Sequence, residues 1–222
     1  MDYSEDFEDG FEYTSLGALH YRYHPGTGTK LIFLHGVGGS TRVWMKLMQV
    51  MPDNLDISLI DLLGHGESDA PHIDYTISNQ FQALREFMSL RNNGDSYLFG
   101  HSYGGWIAAY YASQPYTCKG IILEDAAGLK ESFDHLQDSQ RITEYKEGML
   151  RTTMQTNNNK DYVIKSILDS DFGEDQLTGE LLSLIKSPTK IIWGSEDKVL
   201  EKSYANIFQK GIAGSLRNFA RR

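Results

Sequence analysis

The stretch Tyr97-Leu98-Phe99-Gly100-His101-Ser102-Tyr103-Gly104-Gly105-Trp106-Ile107-Ala108-Ala109 decides how the rest of the chain is read. A short apolar run, a G-x-S-x-G turn and an alanine-rich run follow without a gap. This is the pattern of a strand that bends sharply into a helix and leaves a serine on the bend. Such a bend strains the backbone at the serine and brings two chain segments together, so Gly100 and Gly104 need to lack a Cβ. Ser102 is the candidate nucleophile. The helix behind it would aim backbone N–H groups, and the positive end of its dipole, at any oxyanion formed there. On five residues alone, a glycine-rich helix start explains the pattern about as well as a nucleophile elbow does.

Two upstream stretches shift that balance. Lys30-Leu31-Ile32-Phe33-Leu34 runs into His35-Gly36-Val37-Gly38-Gly39-Ser40, and Ile57-Ser58-Leu59-Ile60-Asp61 runs into Leu62-Leu63-Gly64-His65-Gly66-Glu67-Ser68. The ordered motifs H-G-x-G-G, D-x-x-G-H-G-x-S and G-H-S-x-G-G resemble the α/β-hydrolase superfamily in its lid-bearing, esterase-like branch. The resemblance spans about residues 12 to 210. It implies the α/β-hydrolase fold, an α/β architecture with a mostly parallel sheet flanked by helices and a helical lid insertion. It also implies that the backbone N–H groups of Val37 and Tyr103 form an oxyanion hole, where each such donor is worth roughly 2.7–4 kcal/mol in acyl transfer. The plainer reading of Gly36, Gly38 and Gly39 is a flexible turn. His35 and His65 read as loop-shaping hydrogen-bonders rather than proton carriers.

Composition fits one compact enzyme domain. The chain has 222 residues, 40% hydrophobic and 12% aromatic, enough to bury a sizeable core. A net charge of −9 and a pI near 5.2 argue against a nucleic-acid or anionic-membrane partner, which would ask for a basic face. The single cysteine, Cys118, cannot form an intrachain disulfide, so a reducing cytoplasm is the expected setting. No apolar run reaches membrane-spanning length, and the start is acidic where a signal peptide would be basic and then apolar. The expected protein is soluble and unexported.

In chain order, residues 1 to 9 read as a flexible acidic tail. Residues 10 to 128 read as the first part of the hydrolase core. It opens with a hairpin from Phe11 to Tyr23 that turns at Leu16-Gly17-Ala18, with His20 and His24 expected to be exposed. Arg42 to Val50 has helical spacing with Val43, Leu47 and Val50 on one side, and Trp44 reads as an anchor near the oxyanion loop. Phe81, Leu84, Phe87 and Met88 mark an amphipathic helix ended by Asn92-Asn93-Gly94-Asp95. Strands alternating with helices at this cadence imply a parallel sheet built from right-handed crossovers. Residues 129 to 187 are polar and helical without a strand signal. By the resemblance this is the lid, with Phe133, Tyr145, Met149 and Met154 as candidates to line an acyl pocket and His135 as a solvated lid residue.

Residues 188 to 222 read as the last part of the core. A strand followed by G-x-x-D is the family's setting for the triad acid, which places Asp197 there, with Asp125 in reserve at the end of the preceding strand. The triad histidine should follow one more strand, yet no histidine follows His135. Glu201 to Lys210 can form a helix, whereas Gly211 to Arg222 carries no convincing strand, and a truncated or frame-shifted C-terminus is expected. His101 adjoins the nucleophile on the bend, where its side chain should point away from Ser102 Oγ. The resemblance thus implies acyl transfer through Ser102 on a small or medium carboxylic ester, with no metal or organic cofactor and with the competence of this chain open. A non-catalytic ligand- or partner-binding protein is the alternative. Substrate identity and oligomeric state are not readable.

Overall fold

The computed structural model describes residues 7–91, 93–133, 138–155, 159–170, 173 and 175–220. The chain opens with β1 (Glu8–Thr14), β2 (Gly17–His24) and β3 (Lys30–Leu34). A 3-10 turn over Thr41–Trp44 runs into the short α1 (Met45–Met48), followed by β4 (Asp56–Ile60) and α2 (Ile77–Leu90). Next come β5 (Tyr97–His101), α3 (Tyr103–Ser113) and β6 (Gly120–Glu124). Between β6 and β7 (Thr189–Gly194) lie a 3-10 turn at Lys130–Phe133, then α4 (Ser139–Met154), α5 (Asp161–Ser170) and α6 (Gly179–Leu184). Finally α7 (Tyr204–Gly211) leads into β8 (Leu216–Ala220).

One eight-stranded sheet has the order β1-β2-β4-β3-β5-β6-β7-β8. The β1–β2 and β2–β4 pairs are antiparallel and the remaining pairs parallel. This is the mostly parallel α/β arrangement that the motifs imply. From β3 the chain crosses outward to β4 and then returns past β3 to β5. The loops after β3 and β5 therefore meet at a topological switch point, where open α/β sheets bind their ligands.

Residues alternate between the two faces of the sheet. Ile32, Leu34, Ile60, Leu98, Ile121, Leu123, Ile191 and Trp193 join the larger core with α2, α3, α6 and α7. Leu31, Phe33, Ile57 and Leu59 pack on the other face with Phe7, Trp44 and Met48.

Four expectations are corrected here. Residues 7 to 9 are not part of a flexible tail, because Phe7 is buried in the second core and β1 already pairs Glu8 with Tyr23 and Asp9 with Arg22; residues 1 to 6 lie outside the described residues. The segment from Arg42 to Val50 buries Trp44 and Met48 and leaves Val43 and Val50 exposed. Its 3-10 start rotates the side chains away from α-helical spacing. His20 is 1% exposed rather than on the surface. A C-terminal strand is present: β8 pairs in parallel with β7 from Lys190↔Leu216 to Gly194↔Ala220. Its backbone is held by the ladder while most of its side chains stay exposed, so it carries no hydrophobic pattern to read.

Candidate active site

Ser102 sits between β5 and α3 with φ 52 and ψ −115, a region that side chains rarely adopt. The bend is held from both sides: the Ser102 N–H donates to the Glu124 carbonyl at 3.0 Å, and the Ser102 carbonyl accepts from Trp106 N–H at 3.1 Å and Ala127 N–H at 3.0 Å. The two glycines are required by close approach. A Cβ on Gly100 would lie 2.3 Å from the Gly104 carbonyl oxygen, and one on Gly104 would lie 2.2 Å from that of Leu34. A Cβ on Gly36 would lie 3.7 Å from Ser102 Oγ, so the loop after β3 runs directly beside that side chain.

That loop is a turn over Gly36 to Gly39. Gly38 has φ +70, as the third residue of a type II turn requires, and Gly39 N–H donates to the Gly36 carbonyl at 2.9 Å. His35 Nδ1 lies 2.7 Å from the same carbonyl, while its Nε2 accepts from Leu62 N–H at 3.1 Å. The acceptor role of Nε2 fixes the proton on Nδ1. Burial lowers the His35 pKa, so the ring is neutral and both nitrogens are engaged. His65 is also fully buried, with Nδ1 3.2 Å from the Leu63 carbonyl. Burial, with His35 nearby, lowers its pKa to about 3, too weak a base for a serine proton near neutral pH.

Asp61, the first residue after β4, organises both loops. It is buried, and its carboxylate accepts from Thr41 N–H at 2.6 Å, Glu67 N–H at 3.0 Å and His20 Nδ1 at 2.8 Å. Burial opposes its charge, but His20 and the two amides outweigh that and hold the carboxyl below its usual range. His20 Nε2 lies 3.0 Å from Asp9. Burial again opposes its charge, and the two aspartates overcome it and raise the His20 pKa. The sequence signal for this cluster was the Asp61 motif itself, but its histidine lies 41 residues away.

Asp197 lies in the loop after β7. Its Oδ1 accepts from Val199 N–H at 2.7 Å and Leu200 N–H at 3.0 Å, and Oδ2 has no hydrogen-bond partner among the described residues. Asp125 has φ 43 and is 2% exposed. Its Oδ1 accepts from Gly194 N–H at 2.7 Å, which ties the end of β6 to the end of β7.

Ser102 opens into a cavity of about 200 Å³. Of the residues singled out from sequence, Val37, Ser102, Tyr103, Phe133, Tyr145 and Met149 all line it. Phe133 and Tyr145 meet edge-on with ring centroids 6.2 Å apart. Asp197 is not in the lining, although Val199 and Leu200, whose amides it holds, are. Met154 is corrected: it is 36% exposed and does not line the cavity, because it stands five residues beyond Met149, off the face that α4 turns inward. Sequence reasoning missed Trp106, Ile167, Leu168 and Tyr204, which also line the cavity. Trp106 stands four residues after Ser102 on a helix, a spacing that could have found it. Of the seven histidines, His135 lies outside the described residues and none of the others lines the cavity. His101 Nδ1 lies 3.2 Å from Glu124 Oε2, and its ring meets Trp44 edge-on.

This geometry, a serine on a strained strand-to-helix bend beside a glycine turn at a sheet switch point, agrees with the comparisons. The family described as alpha/beta hydrolase fold matches residues 30–177, and the chain belongs to that family. Monoacylglycerol lipase ABHD6 of Bos taurus is 25% identical over 234 residues, covering 88% of this chain and 69% of the relative. Monoacylglycerol lipase abhd6-A of Xenopus laevis is 27% identical over 245 residues, covering 93% and 70%. Among solved structures, a hydrolase from Pseudomonas aeruginosa superimposes with TM-score 0.79 at 19% identity, covering 96% of this chain and 90% of that one. The enol-lactonase of Burkholderia xenovorans gives TM-score 0.77 at 17% identity, covering 95% and 91%. These structural likenesses speak for the fold.

Proposed function

We propose that this chain is a serine hydrolase for small or medium carboxylic esters, monoacylglycerols of modest acyl length among them, working in a reducing cytoplasm through an acyl-enzyme on Ser102. The observation that carries this reading is the convergence of Ser102, Val37 and Tyr103 on one mainly apolar cavity. Ser102 Oγ would attack the ester carbonyl, the Val37 and Tyr103 amides would hold the oxyanion, and water would later hydrolyse the acyl-enzyme. Asp197 is the orienting acid: one oxygen is anchored by two amides, which leaves the other for an imidazole N–H. Asp125 serves as a buried strut that ties the end of β6 to the end of β7. The helices between β6 and β7 act as a lid that closes the acyl end with Phe133, Tyr145 and Met149. The cavity of about 200 Å³ lies below the roughly 300–1,000 Å³ of pockets for drug-sized ligands, which favours short acyl groups.

The general base is the member that this sequence does not supply, since no histidine follows His135. That observation favours a second reading, a hydrolase-fold protein that binds an ester under the lid without cleaving it. The two separate in one experiment: hydrolysis of p-nitrophenyl butyrate by residues 1 to 222 with and without added imidazole, against Ser102→Ala. The hydrolase reading expects turnover that depends on Ser102 and rises with imidazole. Triad members act as a unit and their losses do not add, so without a base the parent chain starts far below a complete triad, and the signal expected is the imidazole-dependent increment, which Ser102→Ala should lose. Ester binding with no Ser102-dependent turnover in either condition would favour the binding protein.

A further inference from the structure

We propose that Asn159, on the stretch between α4 and α5, is a positioning residue that sets the strength of the oxyanion hole and couples it to the filling of the cavity. This rests on the reading of Ser102 as nucleophile. Asn159 is buried, and its Nδ2 donates to the Gly38 carbonyl at 3.0 Å and to the Thr153 carbonyl at 2.9 Å. The Gly38 carbonyl and the Gly39 N–H belong to one peptide group. That N–H donates to the Gly36 carbonyl at 2.9 Å, and the Gly36 carbonyl shares its peptide group with the Val37 N–H. All peptide bonds among the described residues are trans, so each N–H points opposite to the carbonyl of its own group. The result is a hydrogen-bonded series from Asn159 through two peptide groups to Val37.

Two consequences follow from elementary electrostatics. Each donor polarises the next group in such a series, which makes the Val37 N–H a stronger donor than an isolated amide. The series also fixes where that N–H points, and a fixed donor stabilises developing charge without reorganisation. The second bond of Asn159 reaches the last turn of α4, the helix that contributes Tyr145 and Met149 to the cavity. Thr153 also packs on the loop: its Cγ2 would be 2.1 Å from a Cβ on Gly38. An alkyl chain that fills the cavity presses on α4, and Asn159 carries that pressure to the turn that holds Val37. Chain length is then read at the oxyanion as well as in the cavity.

The test uses n-alkylboronic acids as probes. In the adduct a Ser102 Oγ lone pair forms the O–B bond, the hydroxyl proton leaves to solvent, and boron becomes a tetrahedral anion that keeps both hydroxyls. Affinities of ethyl-, butyl- and hexylboronic acid are measured by calorimetry for the full chain, Asn159→Ala, Asn159→Gln and Ser102→Ala, with ¹¹B NMR to show the tetrahedral boron. 1-Hexanol, which fills the cavity without adding to serine, is the reference. The expected result is that Asn159→Ala weakens hexylboronic acid about tenfold or more, a part of the 10²–10³ that one whole oxyanion donor supplies. Its 1-hexanol affinity should hold within about twofold, and Asn159→Gln should recover part of the boronate affinity. The gain from ethyl- to hexylboronic acid should also shrink in Asn159→Ala, within the roughly 5–150-fold range of typical couplings. Asn159→Leu keeps the volume without the donor and is read the same way if the alanine variant does not melt cooperatively. A Ser102-dependent adduct that is indifferent to Asn159, or equal losses of boronate and alcohol, overturns the positioning role alone. An adduct that persists in Ser102→Ala, or no adduct in the parent chain, overturns the nucleophile reading and this inference with it.

Discussion

At the scale of single residues, backbone strain at Ser102 and buried imidazoles in the neighbouring loops each have a measurable cost. Ser102 holds φ 52 with a side chain, a conformation that costs on the order of 1–3 kcal/mol when the residue is not glycine. Ser102→Gly should therefore be more stable than Ser102→Ala by about 1 kcal/mol in urea melts, with both inactive; equal stability would mean the bend is unstrained. His65 gives a pH signature. Its folded pKa is near 3, against about 6.5 when unfolded, so below pH 6.5 the unfolded chain takes up a proton that the folded chain refuses. Stability is then full above about pH 6.5 and falls as the pH drops toward 3. His35 acts in the same direction. His20, with its pKa raised, acts oppositely and contributes below pH 6.5, a contribution lost as pH rises through its folded value. His65→Leu should flatten the decline in Tm between pH 7 and pH 5, because Gln80 still donates to the Leu63 carbonyl at 2.9 Å. An unchanged decline would assign the acid limb to other groups. The sequence correctly gave His35 and His65 loop-shaping roles, because both adjoin glycine motifs. It misjudged His20, whose partner Asp61 follows β4, the strand beside its own β2 in the sheet but 41 residues away in sequence.

At the scale of elements, legibility followed the strength of local pattern. The elbow was readable because G-x-S-x-G between an apolar run and an alanine-rich run encodes strand, bend and helix within 13 residues. The hairpin of β1 and β2 was readable from its turn, since Gly17 takes φ 141. Phe133, Tyr145 and Met149 could be nominated only through the family resemblance, and Met154 failed because helical register on α4 was not resolved from composition. β8 went unread for a physical reason: an edge strand is held by backbone hydrogen bonds, which side-chain patterning does not report. The sharpest check on the elbow is Gly104→Ala. The added methyl would meet Leu34 O at 2.2 Å and Leu34 C at 2.5 Å, and both are backbone atoms of a central strand that cannot rotate away. The expected loss is about 3 kcal/mol or more, in the range of strongly destabilising core changes, read from chemical denaturation. A loss below about 1 kcal/mol would mean that α3 can slide away from β3 and that the close approach is not a constraint.

At the scale of the whole molecule the sheet is well covered in its middle and thinly covered toward β8. Leu216 is 65% exposed and Phe219 48% exposed, and the outer edge of β8 pairs with no other strand among the described residues. An apolar edge of this kind is a template for a further strand. Working against association is the net charge of −9, which makes copies repel at a distance. The two terms respond oppositely to salt, because screening shortens the repulsion from a range of ~10 Å at 0.1 M to ~3 Å at 1 M and leaves backbone pairing and apolar contact intact. Residues 1 to 222 should therefore associate with rising concentration in sedimentation experiments, and more so when salt is added. Leu216→Lys with Phe219→Lys should shift the chain toward monomer at every salt concentration without lowering Tm, since both side chains already face solvent. A parent chain that stays monomeric through high concentration and high salt would overturn this prediction and leave Arg217, whose guanidinium sits 4.9 Å from the Phe219 ring, as the candidate that blunts β8. In that case Arg217→Ala should restore the association that the parent lacks.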